Sequence, residues 1–84
     1  MTSSAKPKLT LDRPVTYHIK VPGELNENWS ERYRKMTITV EHQSDILIVT
    51  TLTVTVDQAA LHGLLRQLYS LGLPLISVVC IDLG

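Results

Sequence analysis

One segment near the C-terminus constrains the fold more than any other part of the chain. Five leucines between Asp57 and Gly72 follow the i, i+3, i+4, i+7 spacing of one helix face: Leu61, Leu64, Leu65, Leu68 and Leu71. Asp57 stands where a helix N-cap is expected, Gly72 can adopt the left-handed conformation after the last turn, and Pro74 prevents the helix from continuing. The segment therefore predicts an amphipathic helix over residues 57–71 that buries its leucines.

The other apolar residues alternate with polar ones, which is typical of half-buried β-strands. Alternation predicts strands over residues 15–21 and 36–41, and β-branched residues predict a third strand over 46–56. The third strand changes phase near Thr50, which indicates either a β-bulge or burial of both faces at one end. Residues 75–83 form an almost continuous apolar run, which is typical of a strand covered on both faces.

These elements predict an α+β fold: a four-stranded mixed sheet in βββαβ order, with one helix packed on one face. We expect the first three strands to form an antiparallel meander, and the helix to form a right-handed crossover between the third and fourth strands. Whether the fourth strand lies beside the first or the third stays open. With 84 residues the chain is one domain. Residues 1–14 are predicted to be a mobile tail and residues 15–84 the single α+β domain.

Composition narrows the classes of partner and location. Eight basic residues balance eight acidic ones, so no net charge draws the chain to nucleic acid or to anionic lipid. The single cysteine, Cys80, cannot form an internal disulfide, which favours a reducing cytoplasm. No apolar segment approaches the roughly 20 residues that cross a bilayer, and the N-terminus has no signal-peptide core. The sequence therefore predicts a cytoplasmic protein that neither enters a membrane nor binds nucleic acid.

The outer face of the predicted helix lacks the Lys and Glu that normally solvate such a surface. Opposite the leucines lie small or uncharged residues and one arginine, which form the candidate interface: Ala59, Gly63, Arg66, Gln67 and Ser70. Gly63 costs about 1 kcal/mol of helix propensity relative to alanine, and small side chains allow another backbone to approach. The face therefore predicts a homo-oligomer, a dimer in the simplest case. The alternative is an ordinary solvated face that tolerates Gly63.

The residues that could carry chemistry are scattered along the sequence. The three histidines, His18, His42 and His62, do not have the spacing of metal ligands, and Cys80 stands alone, so neither a metal nor a cofactor is predicted. His62 flanks the leucines, where packing and a hydrogen bond to Tyr69 or a carbonyl explain it better than a role as general base. No carboxylate pair, nucleophile–base pair or phosphate-binding glycine loop is evident. The sequence thus predicts no catalytic residue and disfavours an enzyme.

A basic cluster with interleaved aromatic residues follows the first strand. Trp29 and Tyr33 stand among Arg32, Arg34 and Lys35, a pattern that can bind single-stranded nucleic acid by stacking. Three nearby glutamates cancel most of the charge, so we favour a loop with Trp29 packed over one end of the core. Trp29 and Tyr33, together with His62 and Tyr69, are the candidate ligand or boundary positions.

The helix and the strand after it resemble a group of small bacterial proteins with no assigned activity. The shared motifs are D-Q-A-A-L-H-G-L-L, here residues 57–65, and L-G-L-x-L-x-S-V, here residues 71–78. A looser likeness, over residues 64–78, is to the ACT domain, a regulatory module that binds amino acids at subunit interfaces. The ACT likeness implies a small-molecule sensor with a ligand pocket between subunits.

Three functions follow from these observations. The favoured one is a small interaction module that self-associates and docks onto another protein. The second is the ACT-like sensor, with a pocket near the helix start and Trp29. The third is a small dimeric enzyme built around His18 or His62.

Overall fold

The computed structural model describes residues 9–25 and 36–82. Within these ranges the elements follow in the order β1 (Val15–Pro22), β2 (Thr37–His42), β3 (Ile48–Val56), α1 (Gln58–Ser70) and β4 (Ser77–Asp82). Trp29 and Tyr33 lie outside the described residues, so the role given to them above stays a prediction.

The strands form one sheet in the order β2-β3-β1-β4. β1 pairs antiparallel with both β3 and β4, and β3 pairs antiparallel with β2. The predicted mixed sheet is therefore wrong, because all three strand pairs are antiparallel, and so is the meander, because β1 and β2 are not neighbours. β3 and β4 do run in the same direction, but β1 lies between them. The crossover through α1 thus skips one strand position, which is a split β-α-β arrangement.

The ends of α1 lie at the capping residues that the sequence indicated. Oδ1 of the N-cap Asp57 accepts a hydrogen bond from the backbone N–H of Ala60 at 2.9 Å. At the other end Gly72 has a φ of 78°, and the N–H of Leu73 donates to the carbonyl of Leu68 at 3.0 Å. These are the left-handed residue and the long hydrogen bond of a Schellman motif. The predicted cap and stop are confirmed.

The core lies between α1 and one face of the sheet. Its buried members are Val15, Tyr17, Ile19, Val21, Met36, Leu52, Val54, Leu61, Leu64 and Leu68. Leu65 is half-buried and packs against this cluster. Leu71 is 58% exposed, so its predicted burial is wrong. The reason is that Leu71 is the C-cap of α1 and no longer belongs to the helix face.

β3 is buried on both faces at its N-terminal end. Thr50 is fully buried on the core side, while Val49 and Thr51 on the opposite side are only 3% and 8% exposed. The pairing of β3 with β1 and with β2 has no register shift. Burial of both faces, rather than a bulge, therefore explains the change of phase. Ile46, predicted to lie in the strand, is 95% exposed in the turn before it.

β4 is an edge strand with exposed side chains. Val78, Val79 and Ile81 are 37%, 49% and 46% exposed, so the predicted strand covered on both faces is wrong. The physical reason is its position. α1 packs mainly on β3, and among the described strands β4 has β1 as its single neighbour.

Candidate interaction surface

The helix face singled out in the sequence faces away from the core. Ala59, Arg66 and Ser70 are exposed, and Gly63 and Gln67 are half-buried. A Cβ placed on Gly63 meets no atom within 4 Å, so no contact with the described part of the chain requires glycine there. Ser70 Oγ donates to the carbonyl of Gln67 at 2.8 Å. That another chain covers this face stays a prediction.

Two shallow depressions open on the flank of α1, and both include His62 and Arg66. The smaller, about 220 Å³, is completed by Leu65 and Tyr69. The larger, about 370 Å³, is completed by Leu11, Gln58 and Ala59. His62 and Tyr69 are both exposed. These depressions offer one permanent positive charge, that of Arg66, in open contact with solvent.

A buried polar group lies where α1 begins. Tyr17 is 4% exposed, and its hydroxyl accepts a hydrogen bond from Nε2 of Gln58. Burial raises the pKa of the Tyr17 phenol, Cys80 raises it further, and the hydrogen bond from Gln58 lowers it. The backbone N–H of Gln58 also donates to the carbonyl of Leu11 at 3.1 Å, which ties residues before β1 to the helix. The raised pKa keeps the phenol protonated near neutral pH, where its oxygen is the acceptor for the Gln58 amide.

The sheet face opposite α1 carries short hydroxyl side chains. The register places Thr37 beside Thr53 and Thr39 beside Thr51, and the hydroxyls of Thr16 and Thr55 lie 2.7 Å apart. The hydroxyl of Thr51 is buried and has no hydrogen-bond partner among residues 9–25 and 36–82.

His18, the other histidine considered for an enzyme, lies on this same face. Its cross-strand neighbours are Thr53 on β3 and Val79 on β4, neither of which is a carboxylate. Among the described residues no cluster of His, Cys, Asp and Glu could hold a metal ion.

The edge formed by β4 and the two residues before it is the surface that sequence reasoning missed. Five apolar side chains there are between 37% and 52% exposed: Leu75, Ile76, Val78, Val79 and Ile81. No charged residue occurs from Pro74 to Ile81. We call this surface the β4 edge. The signal was present in the sequence as the apolar run itself, which was interpreted as burial within the chain.

The fold and the β4 edge define a small α+β domain with an exposed apolar sheet edge. The chain belongs to the family described as Domain of unknown function (DUF8691), whose model matches residues 16–79. That match begins in β1 and ends in β4, so it includes α1. No curated protein and no solved structure matches the chain. None of the helices within the described ranges has the length and apolarity needed to span a bilayer.

Proposed function

We propose that this chain is a small protein–protein interaction module that self-associates. The observation that carries the proposal is the exposed apolar run of β4. An edge strand presents unpaired backbone N–H and C=O groups, and native edges are normally protected by charge, proline, a β-bulge or a covering element. β4 has a register shift against β1 between Cys80 and Asp82, but no charge protects the β4 edge, which exposes apolar side chains from Leu75 to Ile81.

Two properties of the whole chain support the same proposal. The net charge is zero, so copies do not repel one another at long range. A domain of this size buries a small core and gains stability from a partner that covers more apolar surface. We also propose that the protein works in the cytoplasm, since its Cys80 is a free thiol.

Analytical ultracentrifugation over a concentration series tests self-association. We expect the mass to rise from the 9.4 kDa of one chain toward twice that value between about 1 and 200 µM, a range suited to a small interface. A mass of one chain at every concentration would contradict the proposal.

The second candidate function is an ACT-like sensor of small molecules. Its support is the strand order β2-β3-β1-β4 with the split β-α-β unit, which favours a ferredoxin-like fold of the kind that ACT domains have. The depressions beside His62 and Arg66 offer a cation to a ligand carboxylate. A thermal-shift panel of amino acids tests it, because a ligand at 100 times its Kd adds about 2.7 kcal/mol of stability. A panel without any shift would contradict the sensor.

A further inference from the structure

We infer that a second copy of this chain pairs with the β4 edge, strand β4 against strand β4, about a two-fold axis at Val79. The inference rests on the self-association proposed above. Beyond self-association, it specifies which surface forms the contact, which molecule covers that surface, and which residues lie opposite each other. The joined sheets would form one continuous sheet of eight strands.

Of the two edge strands in the described sheet, β4 is better suited than β2 to pair with a second copy. β2 exposes Thr37, Thr39, Glu41 and His42, which are polar and interact well with water. β4 exposes Val78, Val79 and Ile81, and in the described sheet it has β1 on one side alone. Pairing at β4 therefore covers apolar side chains and satisfies backbone groups at the same time, whereas pairing at β2 would bury a charge.

The absence of charge along β4 favours an identical strand as the occupant. In antiparallel pairs, residues directly opposite each other lie on the same face of the sheet. If both copies keep α1 on the same side of the joined sheet, the two-fold axis must pass beside a residue that lies opposite the same residue of the other copy. The pairing of β4 with β1 is regular from Ser77 to Cys80 and shifts register between Cys80 and Asp82. An axis at Val79 sets Val79 against itself and Val78 against Cys80, all within this regular and uncharged part, whereas an axis at Cys80 sets Asp82 against Val78.

The exposed area sets the expected strength of the contact. The five apolar side chains of the β4 edge expose on the order of 400 Å² per copy, against about 800 Å² per partner in a standard interface. Backbone hydrogen bonds between the two strands add to the strength of this small contact. We therefore expect a dissociation constant in the micromolar range.

Pairing through β4 leaves the outer face of α1 uncovered, and this distinguishes it from a dimer formed through the helix. A two-fold axis perpendicular to the sheet keeps both copies of α1 on the same side. Gly63 and Ser70 then keep in the dimer the exposure that they have in one chain. A disruptive substitution on β4 should therefore weaken a dimer paired through β4 and leave a helix-mediated dimer intact. A disruptive substitution on the outer face of α1 should do the reverse.

The first test is the substitution Val79→Lys, examined by sedimentation. Val79 is 49% exposed on the face opposite α1, so one chain tolerates lysine, while two lysines at the axis repel each other. We expect dimerisation to weaken at least tenfold. Ile46→Lys is the matched control, because Ile46 is 95% exposed in a turn and should leave the dimer intact. Gly63→Glu tests the helix face and should also leave it intact.

The outcomes distinguish this inference from the proposed function. If the unsubstituted protein never dimerises, the proposed function is wrong, and the β4 pairing with it. If it dimerises, and Val79→Lys has no effect while Gly63→Glu separates the copies, self-association stands and the β4 pairing is wrong. Circular dichroism checks that each variant is folded.

Disulfide cross-linking tests the register without destabilising the strand. Opposed residues in an antiparallel pair have Cα atoms about 4.5–5.5 Å apart, within the 4.4–6.8 Å that a disulfide spans. We expect a mild thiol oxidant to cross-link the double variant Val79→Cys, Cys80→Ser. The unsubstituted chain, whose Cys80 faces Val78 of the other copy, should not cross-link. Cross-linking at Cys80 alone would overturn the register, and cross-linking at neither position in a dimeric sample would overturn the pairing.

Discussion

The two glycines at the middle and end of α1 are expected to respond to alanine in opposite ways. A Cβ added to Gly63 would meet open space, and the backbone of Gly63 is not in the left-handed region. Gly72, in contrast, has a left-handed φ of 78°. We expect Gly63→Ala to raise the free energy of unfolding by about 0.5–1 kcal/mol, because alanine favours the helix. Gly72→Ala should lower it by about 1–2 kcal/mol through left-handed strain. Urea denaturation in the Val79→Lys background measures both without interference from association. A loss of stability in Gly63→Ala would contradict the open position of this residue.

The buried phenol of Tyr17 predicts a dependence of stability on alkaline pH. Because burial raises its pKa above the ordinary 10.0, the folded state holds the proton more tightly than the unfolded state. The resulting stability is fully present below pH 10 and is lost as the pH rises further. Tyr17→Phe should lose about 1 kcal/mol at neutral pH, since the Gln58 amide loses its acceptor. It should also show a shallower decline of stability above pH 10. Urea titrations at pH 7 and about 10.5 measure both effects, and equal declines in the two proteins would contradict this account.

At the scale of the element, the leucines of α1 differ sharply in what they contribute. Leu64 is fully buried, whereas Leu71 is 58% exposed at the C-cap. We expect Leu64→Ala to lower the free energy of unfolding by about 2–5 kcal/mol and Leu71→Ala by less than about 0.5 kcal/mol. Chemical denaturation of the two variants measures the difference, with Leu64→Met as a milder substitution if Leu64→Ala does not fold. Similar losses at both positions would mean that Leu71 packs as the leucine spacing alone indicates.

The sequence predicted α1 well because its signals are local. The Asp57 cap, the leucine spacing and the Gly72 stop each act within a few residues. Alternation also identified which residues of β1 face the core. It could not identify the neighbours of β1, because any strand with an apolar face satisfies the same pattern. The meander assumed that successive strands pair, although the connection over residues 23–36 is long enough to place β2 two positions from β1.

The candidate surface shows the same limit of local signals. The helix residues Gly63 and Arg66 were identified from a periodic pattern, and they do lie away from the core. The β4 edge was missed because an apolar strand looks the same whether its own chain or another copy covers it. A position at the edge of the sheet depends on strand order, which is a property of the whole molecule.

At the scale of the whole molecule, the helix and the four-stranded sheet within residues 9–25 and 36–82 pack so that β4 stays exposed. This arrangement has a thermodynamic consequence if β4 pairs with β4. Dimers form from folded chains and not from unfolded ones, so association adds to the stability of the fold. Folding and self-association then become one linked equilibrium, whose strength depends on the concentration of the protein.

This linkage predicts that the thermal midpoint depends on concentration. Above the dissociation constant, each tenfold increase in concentration adds about 0.7 kcal/mol per chain, because two chains share the 1.4 kcal/mol of a tenfold change. For a domain of this size, that shifts the midpoint by about 3–6 °C. Differential scanning calorimetry at several concentrations measures the shift, and a second scan checks that unfolding is reversible. Val79→Lys should have a midpoint that does not change with concentration, while Ile46→Lys should behave like the unsubstituted protein. If the midpoint of Val79→Lys rises as steeply as that of Ile46→Lys, the stabilising contact lies somewhere other than β4.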